Sequence, residues 1–182
     1  MTSEGLVIEK LPIGAAGATE IGRRFRIEPH RCFACGELNE HGLRIALHTD
    51  GERTWTRLRL DPGFQGWDGI AHGGIVCTLL DEVMAWSVIG RGTWGVTARL
   101  AVDFKRPVET GREIRAVGWV TELHRRIIRT AGQVVDEASG EVLATAEATF
   151  MAAPPERLEE LQARYRPRLE ADDITDTVAG PA

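Results

Sequence analysis

The sequence predicts an α+β domain in which an antiparallel sheet of about six strands wraps around one long central helix. Three observations predict it. The segment Ile75 to Gly90, IVCTLLDEVMAWSVIG, is apolar nearly all round, the pattern of a helix enclosed by protein rather than laid on a surface. The segments before and after it alternate apolar and polar residues with period two. Short turn signals join consecutive strands and leave no room for the crossover helices of a parallel sheet.

The elements follow in order. Leu43, Ile45 and Leu47 alternate with Arg44, Ala46 and His48 as a first strand, and Thr49-Asp50-Gly51-Glu52 is a turn. Thr54 to Leu60 returns as a second strand, ended by Asp61-Pro62-Gly63. Phe64 to Ala71 reads as a loop leading into His72-Gly73-Gly74 and the central helix, which Gly90 and Gly92 stop. Val96, Ala98, Leu100, Val102 and Phe104 then alternate with Thr97, Arg99, Ala101, Asp103 and Lys105, putting Thr97 off the apolar face unless a bulge near Gly95 re-aims it. Arg112 to Thr121, Arg126 to Val135 and Val142 to Phe150 complete the sheet. After Pro154-Pro155, Glu156 to Tyr165 has the spacing of an amphipathic helix. The domain plan is therefore an N-terminal extension at 1–28, a central domain at 29–153, a C-terminal helix at 154–170 and a flexible tail at 171–182.

Composition narrows the function. With 22 Lys plus Arg against 27 Asp plus Glu, the net charge of −5 argues against broad nucleic-acid binding. The start, MTSEGLVIEKLPIGAAGATE, has early acidic charge and no sustained apolar stretch, so no secretory leader is expected, and no window is long and apolar enough for a membrane span. Three cysteines, an odd number, fit a reducing cytoplasmic setting.

Gly73 and Gly74 stand where the first amides of a helix lack internal partners, so they either polarise a ligand oxygen or only let the helix pack closely. Asp81 sits in an otherwise apolar helix, where an unpartnered carboxylate is costly; it either does chemistry or is satisfied by a neighbour such as Thr78. Glu82 points about 100° away from Asp81 around the helix and reads as an ion-pair partner of an arginine, a contact to a partner subunit, or a second group at the site. His72 either bonds substrate or ties down its own loop. Cys32-x-x-Cys35, with His30 and His41 near it, has the spacing of half a zinc site, but no second cysteine pair exists and no metal is expected. Cys77 reads as core, and no Gly-x-Ser-x-Gly elbow announces a serine hydrolase.

The stretches GIAHGGIVCTLLDEVMAW, VTARLAVDFKRPVETG and SGEVLATAEATF, with CFACGELNEHGL upstream, resemble the hotdog-fold acyl-CoA thioesterases of the phenylacetate-pathway (PaaI-like) type over roughly Cys32 to Met151. The resemblance implies hydrolysis of an acyl-CoA to free acid and CoA without a cofactor or metal. It gives Asp81 the role of general base or nucleophile and the Gly73 amide that of polarising the thioester carbonyl. It places a supporting amide at Gln65 and a water-positioning hydroxyl at Thr97, with His72 beside them. Gly74 and Glu82 then border the substrate, and Arg106, Arg125 and Arg126 are candidates for the CoA phosphates. His72 and Asp81 lie roughly 13 Å apart along one helix, too far for one carbonyl to meet both ends. A two-fold homodimer with antiparallel central helices, alone or as a dimer of dimers, would bring Asp81 of one subunit to Gly73 of the other, and the resembled family shares its active sites in this way. The competing readings are a non-catalytic acyl-CoA binding protein on the same fold and a hotdog hydratase or dehydratase. Phe64, Trp67, Trp86 and Trp94 are candidates for an acyl slot.

Overall fold

The computed structural model describes residues 22–171. In chain order the strands are β1 (Arg23–Arg26), β2 (His48–Thr49), β3 (Arg53–Arg59), β4 (Gln65–Trp67), β5 (Ile70–Ala71), β6 (Gly95–Phe104), β7 (Glu113–His124), β8 (Ile127–Asp136), β9 (Val142–Ala152) and β10 (Arg168–Ala171). The helices are α1 (Gly73–Ile89) between β5 and β6, and α2 (Pro155–Tyr165) between β9 and β10. Eight strands form one antiparallel sheet in the order β10-β1-β2-β3-β7-β8-β9-β6, and β4 and β5 form a small separate ribbon.

The expected sheet around a buried helix is therefore present, with more strands than expected. The additions come from the ends. Arg23–Arg26, assigned to the N-terminal extension, pairs with β2 on one side and β10 on the other. Arg168–Ala171 was expected within the C-terminal helix and the tail; instead Arg166 turns into the left-handed region at φ 44° and Pro167 cannot continue a helix, so the chain leaves α2 and joins the sheet. The rest of the extension, 1–21, and of the tail, 172–182, lies outside the described residues.

Two sequence expectations need correction. The first strand shrinks to His48–Thr49, because Arg44 adopts φ 50° and breaks the ladder. The alternation still does its work: Ile45 and Leu47 are buried, and the Leu43 and Ile45 amides donate to the carbonyls of Phe33 and Ala34 in the preceding loop. The alternation drawn through Val96 and Ala98 also fails. Pairing of β6 with β9 shifts between Thr97 and Arg99, an extra residue at Ala98 that reverses the facing of everything before it. Val96 is left 72% exposed, and Thr97 lies opposite the fully buried Phe150.

Helix α1 is the centre of the core. Val76, Leu79, Leu80, Val83 and Met84 are buried, packed with Ile114, Ala116, Ile128, Val134 and the alanines of β9. Small residues on the sheet allow that contact. A Cβ at Gly118 in β7 would lie 2.7 Å from the backbone of Val83 and Met84, so the strand touches the helix directly. Replacing Gly118 by Ala is expected to lower stability by about 1–3 kcal/mol, since backbone on both sides must move to admit one methyl group. Urea unfolding followed by the tryptophan signal measures it; an unchanged midpoint would mean that the helix can retreat without cost.

Candidate active site

The loop Pro62 to His72 delivers the chain to the start of α1. His72 is the N-cap in extended geometry, φ −63° and ψ 135°, and its Nδ1 accepts from the Gly74 amide at 3.0 Å. That bond places the proton of the neutral ring on Nε2. It also decides between the two glycines. Gly74 gives its amide to His72, Ile75 gives its own to the His72 carbonyl, and the Gly73 amide is left without an acceptor among the described residues. Packing within the chain does not explain glycine at 73, since an added Cβ would meet only the Phe104 ring at an ordinary 3.4 Å.

Asp81 lies eight residues beyond Gly73, a little over two turns along α1. Its partner is Thr97, whose Oγ1 donates to Oδ1 at 2.7 Å. Thr78, the neighbour considered from sequence, instead donates to the Gly74 carbonyl within the helix. The bulge at Ala98 is what turns Thr97 toward α1, placed three residues later than the sequence allowed for. Burial pushes the Asp81 carboxyl above the usual carboxylate range, and the Thr97 bond pulls part of the way back. An acid that resists losing its proton, held at one oxygen and bare at the other, is the arrangement expected of a proton acceptor.

The other candidates divide. The Gln65 side chain accepts from the Gly69 amide at 3.1 Å, and its backbone pairs with Ala71 beside His72, so it braces the loop and keeps its amide nitrogen outward. Glu82 meets no arginine. Its carboxylate accepts from Trp86 Nε1 at 2.8 Å and faces Cys32, away from Thr97 and Asp81's bond to it. Arg126 is spent on the Ala152 carbonyl, at 3.0 and 3.2 Å, and Arg106 is paired with Glu141 at 3.0 Å on the surface. Arg125 stands at the exposed β7–β8 turn with φ 54°. Of the aromatic candidates, Trp86 packs with Phe25, Trp94 stacks on Tyr165, and Trp67 on β4 is 81% exposed. A cleft lined by Phe25, His30, Cys35, Arg44 and Trp86 opens elsewhere and takes in none of Gly73, Asp81 and Thr97. No helix among the described residues is long and apolar enough to cross a membrane.

Residues 68–143, from the loop before His72 to the start of β9, match the family model of the thioesterase superfamily. Over that stretch the chain is similar to thioesterase-superfamily domains. Solved structures agree on the fold, and the hotdog arrangement expected from sequence is the one observed. A thioesterase superfamily protein is 29% identical with a TM-score of 0.60, over 64% of this chain and 60% of that one, so the chain spans less than two thirds of that relative. A Bacillus halodurans protein solved with CoA is also 29% identical, with a TM-score of 0.50 over 54% of this chain and 70% of that one. Escherichia coli PaaI, from the phenylacetic acid degradation operon, shares the fold at 17% identity and TM-score 0.56, over 60% of this chain and 80% of its own. No curated protein sequence matches the chain.

The burial of Asp81 has a cost that can be measured. Its carboxyl titrates above its unfolded value of 3.8, so the native state holds the proton more tightly than the unfolded chain. The charged form therefore weakens folding at neutral pH, and the penalty fades as pH falls to the unfolded value. Asp81→Asn is expected to raise the urea midpoint at pH 7 and to lose that advantage near pH 4. An equal or lower midpoint at pH 7 would mean that the carboxylate is not under strain.

Proposed function

We propose that this chain is an acyl-CoA thioesterase acting as a two-fold dimer with shared sites. One observation carries the reading: a half-buried carboxylate, Asp81, fixed by a single threonine hydroxyl on the same helix whose opening amide, Gly73, is unclaimed. The relative solved with CoA supports the substrate class.

In the proposed reaction the thioester carbonyl oxygen accepts from the Gly73 amide, where the helix end favours growing negative charge. Asp81 of the other subunit takes a proton from water as the water oxygen attacks the carbonyl carbon. Collapse of the tetrahedral intermediate breaks the C–S bond, expels CoA as thiolate and leaves the free acid. The same carboxylate can instead attack the carbonyl itself; heavy oxygen passing from solvent into Asp81 in a single turnover distinguishes that route. Thr97 orients the carboxylate in either case. Arg125, exposed and without a polar partner among the described residues, is the most available of the three arginines for a CoA phosphate.

The dimer has its own support. Among the described residues the ten-residue strand β6 is an uncovered sheet edge, carrying Val96 at 72% and Phe104 at 53% exposure. Long apolar edges of this kind are normally covered. Phe104 packs beside Gly73, so a surface covering β6 also reaches the helix mouth.

A thiol-release screen across short, medium, long and aryl acyl-CoAs tests the activity. Asp81→Asn is expected to lower kcat by about 10²–10⁴-fold, the usual span for a lost proton acceptor. Gly73→Pro is the sharper variant. Proline is well suited to the first helical position, the extended His72 suits a following proline, and the substitution deletes only the N–H. It is expected to cost about 10²–10³-fold in kcat with the helix retained by circular dichroism. Mixing the two inactive variants under conditions of subunit exchange should restore turnover, because a mixed dimer holds one site with both groups intact. Near-normal turnover in well-folded Asp81→Asn, or no recovery on mixing, would overturn the reading.

Thr97→Val removes the bond that lowers the Asp81 pKa. The ionised carboxylate is then reached only at higher pH, and the acid limb of the kcat profile should move upward. A profile that stays in place would mean that Thr97 does not act on Asp81.

A further inference from the structure

The loop 27–45, between β1 and β2, holds a second cluster of reactive side chains that the thioesterase chemistry does not use. His30, Cys32 and Cys35 place one imidazole nitrogen and two sulfurs within 4.8 Å of one another. His30 Nε2 is 3.3 Å from Cys35 Sγ. On the open side of this trio lies Glu82 of α1, its carboxylate oxygens 3.7 and 3.9 Å from Cys32 Sγ. We infer that His30, Cys32, Cys35 and Glu82 form a binding site for a zinc-like divalent cation, which clamps this loop onto the central helix.

The geometry fits. Zinc bound at about 2.3 Å to sulfur and about 2.0–2.1 Å to nitrogen or oxygen makes a tetrahedron with edges of roughly 3.4–3.8 Å. The His30–Cys35 and Cys32–Glu82 separations are near those edges without any ion to draw the ligands in. Two thiolates, an imidazole and a carboxylate are a borderline-soft set that suits zinc better than magnesium or calcium.

The backbone is shaped for two sulfurs. The chain turns sharply through Cys32-Phe33-Ala34-Cys35-Gly36, with the Gly36 amide donating to the Cys32 carbonyl at 3.0 Å. A Cβ at Gly36 would lie 2.4 Å from the Cys32 nitrogen and 2.6 Å from the carbonyl oxygens of Cys32 and His30, so only glycine closes this turn. Three acids, the two thiols and the Glu82 carboxyl, are thus crowded together where one cation would serve each of them. The ring of His30 is steadied edge-on against Tyr165 at 5.6 Å.

No metal was expected from sequence because a second cysteine pair is missing. The fourth ligand comes instead from a glutamate 50 residues away, which spacing along the chain does not reveal.

The test is metal analysis of the full chain, purified under reducing conditions and incubated with excess Zn²⁺ before desalting. One zinc per chain is expected. After chelation, added Co²⁺ should give thiolate charge-transfer and tetrahedral d–d bands. Cys35→Ser should abolish both signals, and Cys77→Ser should keep them. Glu82→Gln, which retains the shape of the side chain if a cysteine variant fails to fold, should weaken zinc affinity at least as much as the roughly 10–100-fold that loss of a mere supporting residue costs. Zinc-free protein with no cobalt spectrum, equal zinc in Cys35→Ser and Cys77→Ser, or unchanged affinity in Glu82→Gln would each overturn the site. These readouts need no substrate, so they stand or fall apart from the thioesterase assignment.

Discussion

Everything of interest in this molecule depends on enclosing a helix that is apolar on nearly every side. The sheet curves around α1, and where it comes nearest the strand must be glycine, so that backbone meets backbone at Gly118. What the sheet leaves open is taken by the loop 27–45 and by Phe25 against Trp86. Two consecutive carboxylates ride on this helix, and its 100° step sends them to different neighbourhoods. Asp81 goes to a strand and meets a hydroxyl; Glu82 goes to the loop and meets sulfur. A helix interior is a costly place for either, and both are pushed toward their protonated forms for the same reason, loss of water.

The period-two and all-round apolar patterns made the fold legible, because the core is built from α1 and from alternate residues of the strands, such as Ile114 and Ala116 in β7 and Ala144, Ala146, Ala148 and Phe150 in β9. Legibility failed where a single residue changed the backbone. The left-handed turn at Arg44, the extra residue at Ala98 and the left-handed exit at Arg166 are not signalled by glycine or asparagine. The end strands β1 and β10 are too short and too charged to show a pattern; each is held by its partners. At the candidate site, Asp81 and the helix start could be picked out by their oddity in an apolar context. Which glycine amide is free, and which hydroxyl reaches the acid, depended on three-dimensional competition for donors that spacing does not encode.

That competition divides the site between two kinds of work. His72 and Gln65 hold the approach to the helix by satisfying backbone donors at Gly74 and Gly69. With Gly74 and Ile75 also bonded to His72, the Gly73 amide is the donor left at the helix start among the described residues, and it would give a ligand oxygen one direction of approach.

The sheet has unlike margins. At one end β10 is four residues long, and Arg168 and Glu170 beside Arg26 fill it with paired charge. At the other, no strand among the described residues pairs with the outer side of β6. Such a ribbon can lengthen from one side and is refused on the other. Were two copies to meet along their open sides by the proposed two-fold axis, the growing edge would be used up and only armoured ends would remain, so a polymer would stop at its first step and fibres would have nowhere to begin.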